Sequence, residues 1–202
     1  MTANELDIAV MDLVHQYDVS KVLSHMGKVG EGQIREVKNE NDKPNLYLQW
    51  LACLVKLTKP TQIVELGAAA GISTIMMVSE IAKDAKIYSV DFDPRIAWIW
   101  MDREYPQVTK ILGDTREPGI WNLKKTPNLS KTDIWFFDSL HTQDQLEAEL
   151  KLYTQFFKKG AILVFDDIHM NPGMEKVWND LPYDKRDIST PCHWSGFGVA
   201  IA

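Results

Sequence analysis

Residues 62–74 read Gln-Ile-Val-Glu-Leu-Gly-Ala-Ala-Ala-Gly-Ile-Ser-Thr. The short apolar run Ile63 to Leu66 stops at Gly67, and a helix-like run, Ile72 to Ala82, follows Gly71. This pattern predicts a buried strand, a tight small-residue turn and a helix that starts at the turn. Gly67 and Gly71 have no Cβ, so a ligand can come close to bare backbone there. The free N–H groups at the helix start favour an anionic or hydrogen-bond-accepting ligand group. A turn that only packs, with no ligand, is the competing reading.

Two phosphate-binding patterns fail at this turn. A dinucleotide site wants G-x-G-x-x-G, and counting from Gly67 the other two positions are Ala69 and Ile72. A phosphate-cradling loop wants Lys before Ser or Thr, and here Ile72 precedes Ser73.

The chain has 202 residues, 45% hydrophobic and 25% charged, which suits one soluble domain with a substantial core. Net charge is −6 and the sequence shows no basic block, so a small molecule is expected as partner and nucleic acid is not. Cys53 and Cys192 suit a reducing compartment with no disulfide framework, and Cys53 falls in an apolar helical pattern where it packs. The first residues lack a basic start and an apolar signal core. No run approaches the roughly 18 apolar residues of a membrane span. The cytosol, with no membrane partner, is the expectation.

Leu6, Val10, Leu13, Val14 and Tyr17 predict an amphipathic helix over 4–17, its apolar face packing on the domain or on a second copy in a homo-oligomer. Residues 27–43, with Gly27, Gly30 and Gly32, read as a loop placed to close over a ligand or simply to connect. Pro44 can start a helix whose face carries Tyr47, Trp50, Leu51 and Leu54, ended by Lys59-Pro60. Further strands are predicted at 86–90, 108–112, 133–137 and 161–165. Asp93-Pro94 reads as an N-cap followed by proline, so Asp93 is structural. Residues 115–131 are polar and irregular. Leu146, Leu150, Tyr153 and Phe157 mark a helix closed by Gly160, and Met174, Trp178 and Leu181 mark another stopped by Pro182. Asp187 to Ser189 and Phe197 to Ile201 read as two final strands.

Strand and helix alternate from 62 to 181, which predicts an α/β fold: a doubly wound, mostly parallel sheet with helices on both faces. Residues 1–60 form an N-terminal helical extension, and 61–202 form the main domain. Ligands on such sheets bind at the carboxyl ends of strands. Gly67, Asp91, Asp114, Asp138 and Asp166-Asp167 fall at five successive strand ends.

Over residues 62–201 the chain resembles the class I S-adenosylmethionine (SAM) methyltransferases. The carrying residues are Glu65, Gly67 and Gly71 in the turn, Asp91, Gly113-Asp114, and the tail Gly196-Phe197-Gly198-Val199. The resemblance implies a Rossmann-like fold with an antiparallel last strand and a cofactor site at Glu65, Gly67, Ala68, Gly71, Ser73, Asp91, Asp114 and Asp138. In it the turn meets the methionine, Asp91 accepts from the ribose hydroxyls, and Asp114 accepts from the adenine amine. A side chain at Gly67 is expected to occupy the space where the cofactor meets the backbone.

Phe136-Phe137-Asp138-Ser139-Leu140-His141 and Val164-Phe165-Asp166-Asp167 resemble the small-molecule O-methyltransferases, including sugar and antibiotic-tailoring types related to cephalosporin hydroxylase-like proteins. That resemblance implies a divalent cation, Mg²⁺ by its oxygen ligands, held by Asp138, Asp166 and Asp167. Catechol-type members have asparagine where Asp167 stands. It also implies His141 as the base that takes the acceptor's proton, with a hydroxylated small molecule (sugar, polyol or aromatic) as acceptor. His169 is the alternative base. Trp121 and Trp194 either line the acceptor pocket or pack, and the loops 27–43, 115–131 and 190–195 shape that pocket. A nucleotide-dependent oxidoreductase and a non-catalytic binding module on the same fold are the rival readings. The missing middle glycine opposes the first, and the Asp138–His141 pair opposes the second.

Overall fold

The computed structural model describes residues 1–24, 26, 31–40, 45–94, 105–122 and 127–202. Its strands are β1 (Gln62–Leu66), β2 (Lys86–Asp91), β3 (Val108–Leu112), β4 (Ile134–Phe137), β5 (Ile162–Asp166), β6 (Asp184–Asp187) and β7 (Phe197–Ile201). The helices are α1 (Ala3–Val14), α2 (Ser20–Leu23), α3 (Glu31–Val37), α4 (Tyr47–Thr58), α5 (Ile72–Val78), α6 (Gln143–Tyr153) and α7 (Pro172–Asp180). The strands form one sheet in the order β3-β2-β1-β4-β5-β7-β6. Pairings from β3 through β5 are parallel, and β7 runs antiparallel to both β5 and β6. This is the doubly wound α/β sheet that the alternation predicts, with the antiparallel last strand that the resemblance implies.

The period-2 alternation of strand side chains divides the core between two layers. Ile63, Ile134, Phe136, Val164, Phe197 and Val199 pack on the face covered by α1, α4 and α5. Val64, Leu66, Trp135, Phe137, Leu163 and Phe165 pack on the opposite face with Tyr153 of α6 and Trp178 of α7. Aromatic contacts knit both layers: Phe137 stacks on Phe165 at 4.8 Å, and Trp50 meets Phe197 edge-on at 5.6 Å. Cys53 and Cys192 are free and buried. No described helix is long and apolar enough to cross a membrane.

Several local expectations shift. The helix expected over 4–17 ends at Val14, and Thr2 starts it with a capping box to Glu5. Within the expected loop, residues 31–37 are helical. The helical period is hard to see there because Val37 is its one fully buried apolar side chain among those described. Gly27, Gly30, Pro44 and the helix expected after Pro94 lie outside the described residues. The stretch 115–131 holds short 3₁₀ turns at Pro118–Trp121 and Leu129–Lys131. Phe157 lies beyond α6, which passes into a 3₁₀ turn at Thr154–Phe156. The penultimate strand lies at 184–187, not 187–189, and Ser189–Cys192 is an irregular turn. Its sequence, Asp-Lys-Arg-Asp, is that of a charged edge strand and carries no apolar alternation to read.

Two contacts fix the turn after β1. Gly67 has φ +97°, and a Cβ there would stand 1.9 Å from the carbonyl oxygen of Asp138 and 2.7 Å from the Cα of Ser139. The glycine is therefore required by the neighbouring strand end, before any ligand is considered. Glu65, on the α5 face and fully buried, accepts hydrogen bonds from Ser73 Oγ at 2.5 Å, from Thr74 Oγ1 at 2.6 Å, and from Ser89 Oγ. It bolts the first turn of α5 to β1 and β2. Burial raises the Glu65 carboxyl above its ordinary range, although the three hydroxyls pull the other way.

Gly67→Ala should lower the unfolding free energy by roughly 3 kcal/mol, combining the cost of a β-carbon at positive φ with that of overpacking. Urea titration measures it; a variant as stable as wild type would show that β4 can give way. Glu65 contributes a second, pH-dependent signature. A carboxyl raised in the folded state holds its proton longer there, so its contribution is complete below the ordinary value of 4.5 and is lost as pH rises through the raised one. Glu65→Gln should therefore flatten the decline of stability above pH 4.5, read from unfolding curves at successive pH values.

Candidate active site

At the carboxyl ends of the strands lies a cavity of about 550 Å³. Gly67, Asp91, Asp114, Asp138 and His141 line it, as do Ala69, Phe92, Thr115, Arg116, Ser139, Leu140 and Gln145. Glu65, Ala68, Gly71 and Ser73 stand behind this wall. Glu65 and Ser73 pair with each other, and Gly71, at φ +80°, directs the chain into α5.

Asp91 ends β2, and its Oδ2 accepts from the N–H groups of Ala68 at 3.1 Å and Ala69 at 2.7 Å. Its Oδ1 accepts from the Asp93 N–H at 2.8 Å. The carboxylate thus shapes the turn from outside: Oδ2 gives both its lone pairs to the turn, and Oδ1 keeps one for a hydroxyl. Asp114 receives a fork from Arg116, with Nη2 at 2.6 Å and Nε at 3.0 Å. That hydrogen-bonded guanidinium holds the Asp114 carboxyl below its ordinary range. Behind Thr115 and Gln145 sits Glu149, fully buried on α6, which accepts from Thr115 Oγ1 and from Gln145 Nε2 at 2.8 Å. Burial raises its pKa. Gln145 and Glu149 escaped the sequence reading, since a polar residue on a helix face carries no mark of burial, and Arg116 did so as an exposed residue of the turn after β3.

The other end of the site is a cluster of carboxylates and imidazoles. His141 lies between two aspartates, with Nδ1 2.7 Å from Asp167 Oδ2 and Nε2 3.2 Å from Asp138 Oδ1. Burial opposes its charge, but the two carboxylates outweigh burial and push its pKa up to about 10. Burial and the neighbouring Asp166 together raise Asp138 well above the carboxylate range. Asp167 moves down: burial opposes this, and the bonds from His141 and Ser195 prevail. Asp167 has φ +56°, so the chain swings its carboxylate away from the β5 axis towards His141, Ser195 and His193.

Asp138, Asp166 and Asp167 do not form one compact set. Ligand atoms of Asp138, His141 and Asp166 lie within 4.8 Å of one another, as do those of Asp166, Asp167 and His193. Asp166 Oδ1 is buried without an aligned hydrogen bond. A buried carboxylate oxygen of this kind, among crowded acids, fits a cation ligand. His193 was missed because its partners are near in space and remote in sequence.

Asn171 ties the two strand ends together. Its Oδ1 caps α7 at Gly173 N, 3.0 Å, and Met174 N, 3.1 Å, while its Nδ2 donates to the His141 carbonyl at 2.8 Å. His169 is 2.7 Å from Asp187 Oδ2, a pairing away from the cavity wall. Trp121 is core, donating to Tyr153 Oη at 3.2 Å, and Trp194 is exposed beside His193.

Comparison with known proteins agrees with this layout. The methyltransferase domain family matches residues 64–168. A fibrillarin-like rRNA/tRNA 2'-O-methyltransferase from Methanococcus vannielii is 31% identical over 124 residues, covering 57% of this chain and 51% of that protein. The chain thus spans about half the length of the curated relatives it matches. Among solved structures, an O-methyltransferase from Bacillus cereus in complex with SAH superposes with TM-score 0.62 at 19% identity, covering 98% of this chain and 97% of that one. TomG, the O-methyltransferase of tomaymycin synthesis from Streptomyces achromogenes, solved with SAM, gives 0.61 at 15% identity, covering 93% and 97%. These likenesses establish the fold, and the family match spans more than half of the chain. By the family match, and on the fold it shares with the solved O-methyltransferases, the chain belongs to the methyltransferase domain family.

Proposed function

We propose that the chain moves a methyl group from SAM to a hydroxyl oxygen of a small molecule, with a divalent cation at the strand ends that carry Asp138, Asp166 and Asp167. The observation that carries this reading is the single cavity that joins the glycine turn at Gly67 to the Asp138–His141 pair. In it, SAM lies along the wall: its methionine at the 67–71 turn, its ribose hydroxyls on Asp91, and its adenine near Asp114 and Thr115. Phe92 and Leu140, exposed by 61% and 51%, offer apolar surface to the adenine rings.

The SAM sulfonium supplies an electrophilic methyl. The acceptor oxygen attacks that carbon, the carbon–sulfur bond breaks, and its electron pair stays on sulfur to give S-adenosylhomocysteine. The hydroxyl proton must leave during this step. His141 is placed to take it, but with a pKa near 10 it already holds a proton while Asp138 and Asp167 flank it. A divalent cation at these carboxylates supplies positional hold on the acceptor oxygen and a lower hydroxyl pKa. Were a cation to engage its neighbouring carboxylates, His141 would lose what raises its pKa and could take the proton. The carboxylate oxygens of this cluster would suit Mg²⁺.

The B. cereus and S. achromogenes proteins are O-methyltransferases, which supports an oxygen acceptor. The M. vannielii match favours a second reading, RNA ribose methylation. Against it stand the net charge of −6 and a site rich in carboxylates, since backbone binding depends on neutralising phosphates.

His141→Ala should reduce turnover of a small hydroxylated acceptor by roughly 10²–10⁴-fold, the usual range for a general base, with SAM affinity unchanged by calorimetry. EDTA should abolish turnover and Mg²⁺ should restore it. Full activity in EDTA would remove the cation, and unchanged turnover in the variant would remove the base. Labelled SAM offered with RNA and with a panel of sugars, polyols and catechols separates the two acceptor classes. Transfer to RNA matching the best small acceptor would overturn the small-molecule reading.

A further inference from the structure

The reading above leaves His193 unused. It stands in the connection from the Ser189–Cys192 turn to β7, with Nδ1 3.0 Å from Asp166 Oδ1 and 3.5 Å from Asp167 Oδ1. Ser195 Oγ lies 3.2 Å from the same nitrogen and donates to Asp167 Oδ1. Asp166 Oδ1 is buried, and His193 stands beside it without the alignment of a hydrogen bond. One ligand atom from each of Asp166, Asp167 and His193 lies within 4.8 Å of the others. The separations from His193 Nδ1, 3.0 and 3.5 Å, fall under twice a metal–ligand bond of about 2.1 Å.

This set is more enclosed than the one containing His141. The Asp166, Asp167 and His193 side chains are exposed by 7%, 9% and 13%, against 22% for Asp138 and 31% for His141. The imidazole is also held from behind. Its ring lies 4.6 Å from the Tyr47 ring, while the His193 backbone bridges to Asn45 and its backbone N–H donates to the Ser189 carbonyl at 2.8 Å. A ring packed on one face and carried by a fixed backbone is preorganised to serve as a ligand.

We propose that the cation at these strand ends is bound by Asp166, Asp167 and the His193 imidazole, so that the site selects first-row transition cations such as Mn²⁺ or Co²⁺ over Mg²⁺. This rests on the reading that a divalent cation sits here, and it replaces the all-oxygen ligand set by a mixed one. Imidazole nitrogen raises affinity for transition metals in the order Mn²⁺ below Co²⁺, while Mg²⁺ prefers oxygen. The competing role for His193 is that of a counter-charge to the two aspartates. The two roles predict opposite signs. Removing a ligand loosens Co²⁺, whereas removing a counter-charge tightens every divalent cation.

Calorimetric titration of the full chain with Mg²⁺, Mn²⁺ and Co²⁺ decides between them, using wild type, His193→Ala, His193→Phe and His141→Ala. His193→Phe keeps a ring against Tyr47 without a donor, and SAM binding checks the fold of each variant. Wild type should bind Co²⁺ more tightly than Mg²⁺. Both His193 variants should lose Co²⁺ affinity by at least about tenfold, the lower end of what loss of even an outer-shell partner costs, with Mg²⁺ changed less. Nitrogen hyperfine coupling to bound Mn²⁺ should persist in His141→Ala and vanish in His193→Phe. Unchanged or tighter Co²⁺ binding in the His193 variants, or coupling lost only with His141, would overturn the assignment while leaving a cation site in place. A wild-type chain that binds none of the three cations would overturn this inference together with the cation in the proposed function.

Discussion

The structure turns on one backbone contact. Gly67 passes so close to the Asp138–Ser139 backbone that no β-carbon fits between them. That approach brings the end of β1, where the small-residue turn begins, against the end of β4, where the acidic cluster begins. Two hydrogen bonds hold the same corner, from Gly67 N to Val90 O and from Asp138 N to Leu66 O. The cavity, its glycine wall and the Asp138–His141 pair all follow from three adjacent strand ends being drawn this tightly together. A bulkier residue at 67 would separate the two halves of the site before it ever met a ligand.

The cluster beyond that corner is an electrostatic compromise. Three carboxylates crowd two strand ends, and the protein answers with two imidazoles. His141 spans Asp138 and Asp167, and His193 faces Asp166 and Asp167. Protons do the remaining work, with Asp138 raised by burial and by Asp166, and His141 carried to about 10. The same groups that balance one another here are the ones that a cation would rearrange. Ligand binding at this end is therefore also proton movement.

Much of the architecture was legible because strands in a parallel sheet are buried on both faces and read as short apolar runs. Val64, Val90, Ile111, Phe137 and Phe165 belong to such runs, and a glycine or an aspartate closes each one. The turn and the acidic strand ends could be placed for the same reason. β6 was misplaced because an exposed edge strand keeps no apolar signature, and α3 because Val37 alone is fully buried among its described side chains. Glu65 looked like a ligand residue by its spacing, yet its partners are hydroxyls on α5 and β2, which only the fold assembles. His193 gave no signal at all. Nothing in Pro-Cys-His-Trp-Ser marks a residue whose neighbours lie at the end of β5 and in the segment before α4.

The strand order has a consequence in time. β1 lies inside the sheet, yet it pairs with β4 only after β2 and β3 have been laid down on its other side. Joining β1 to β4 closes a long loop, and long-range pairings of this kind form slowly because the entropy of closure is lost before the contacts reward it. The β1–β2 half can form earlier, as a more local unit. A small molecule lying across Gly67 and Asp138 would touch both lips of the later seam. Its binding would then act as a clasp on a contact that the chain makes after its local units, and would lengthen the lifetime of the folded state more than it hastens its formation.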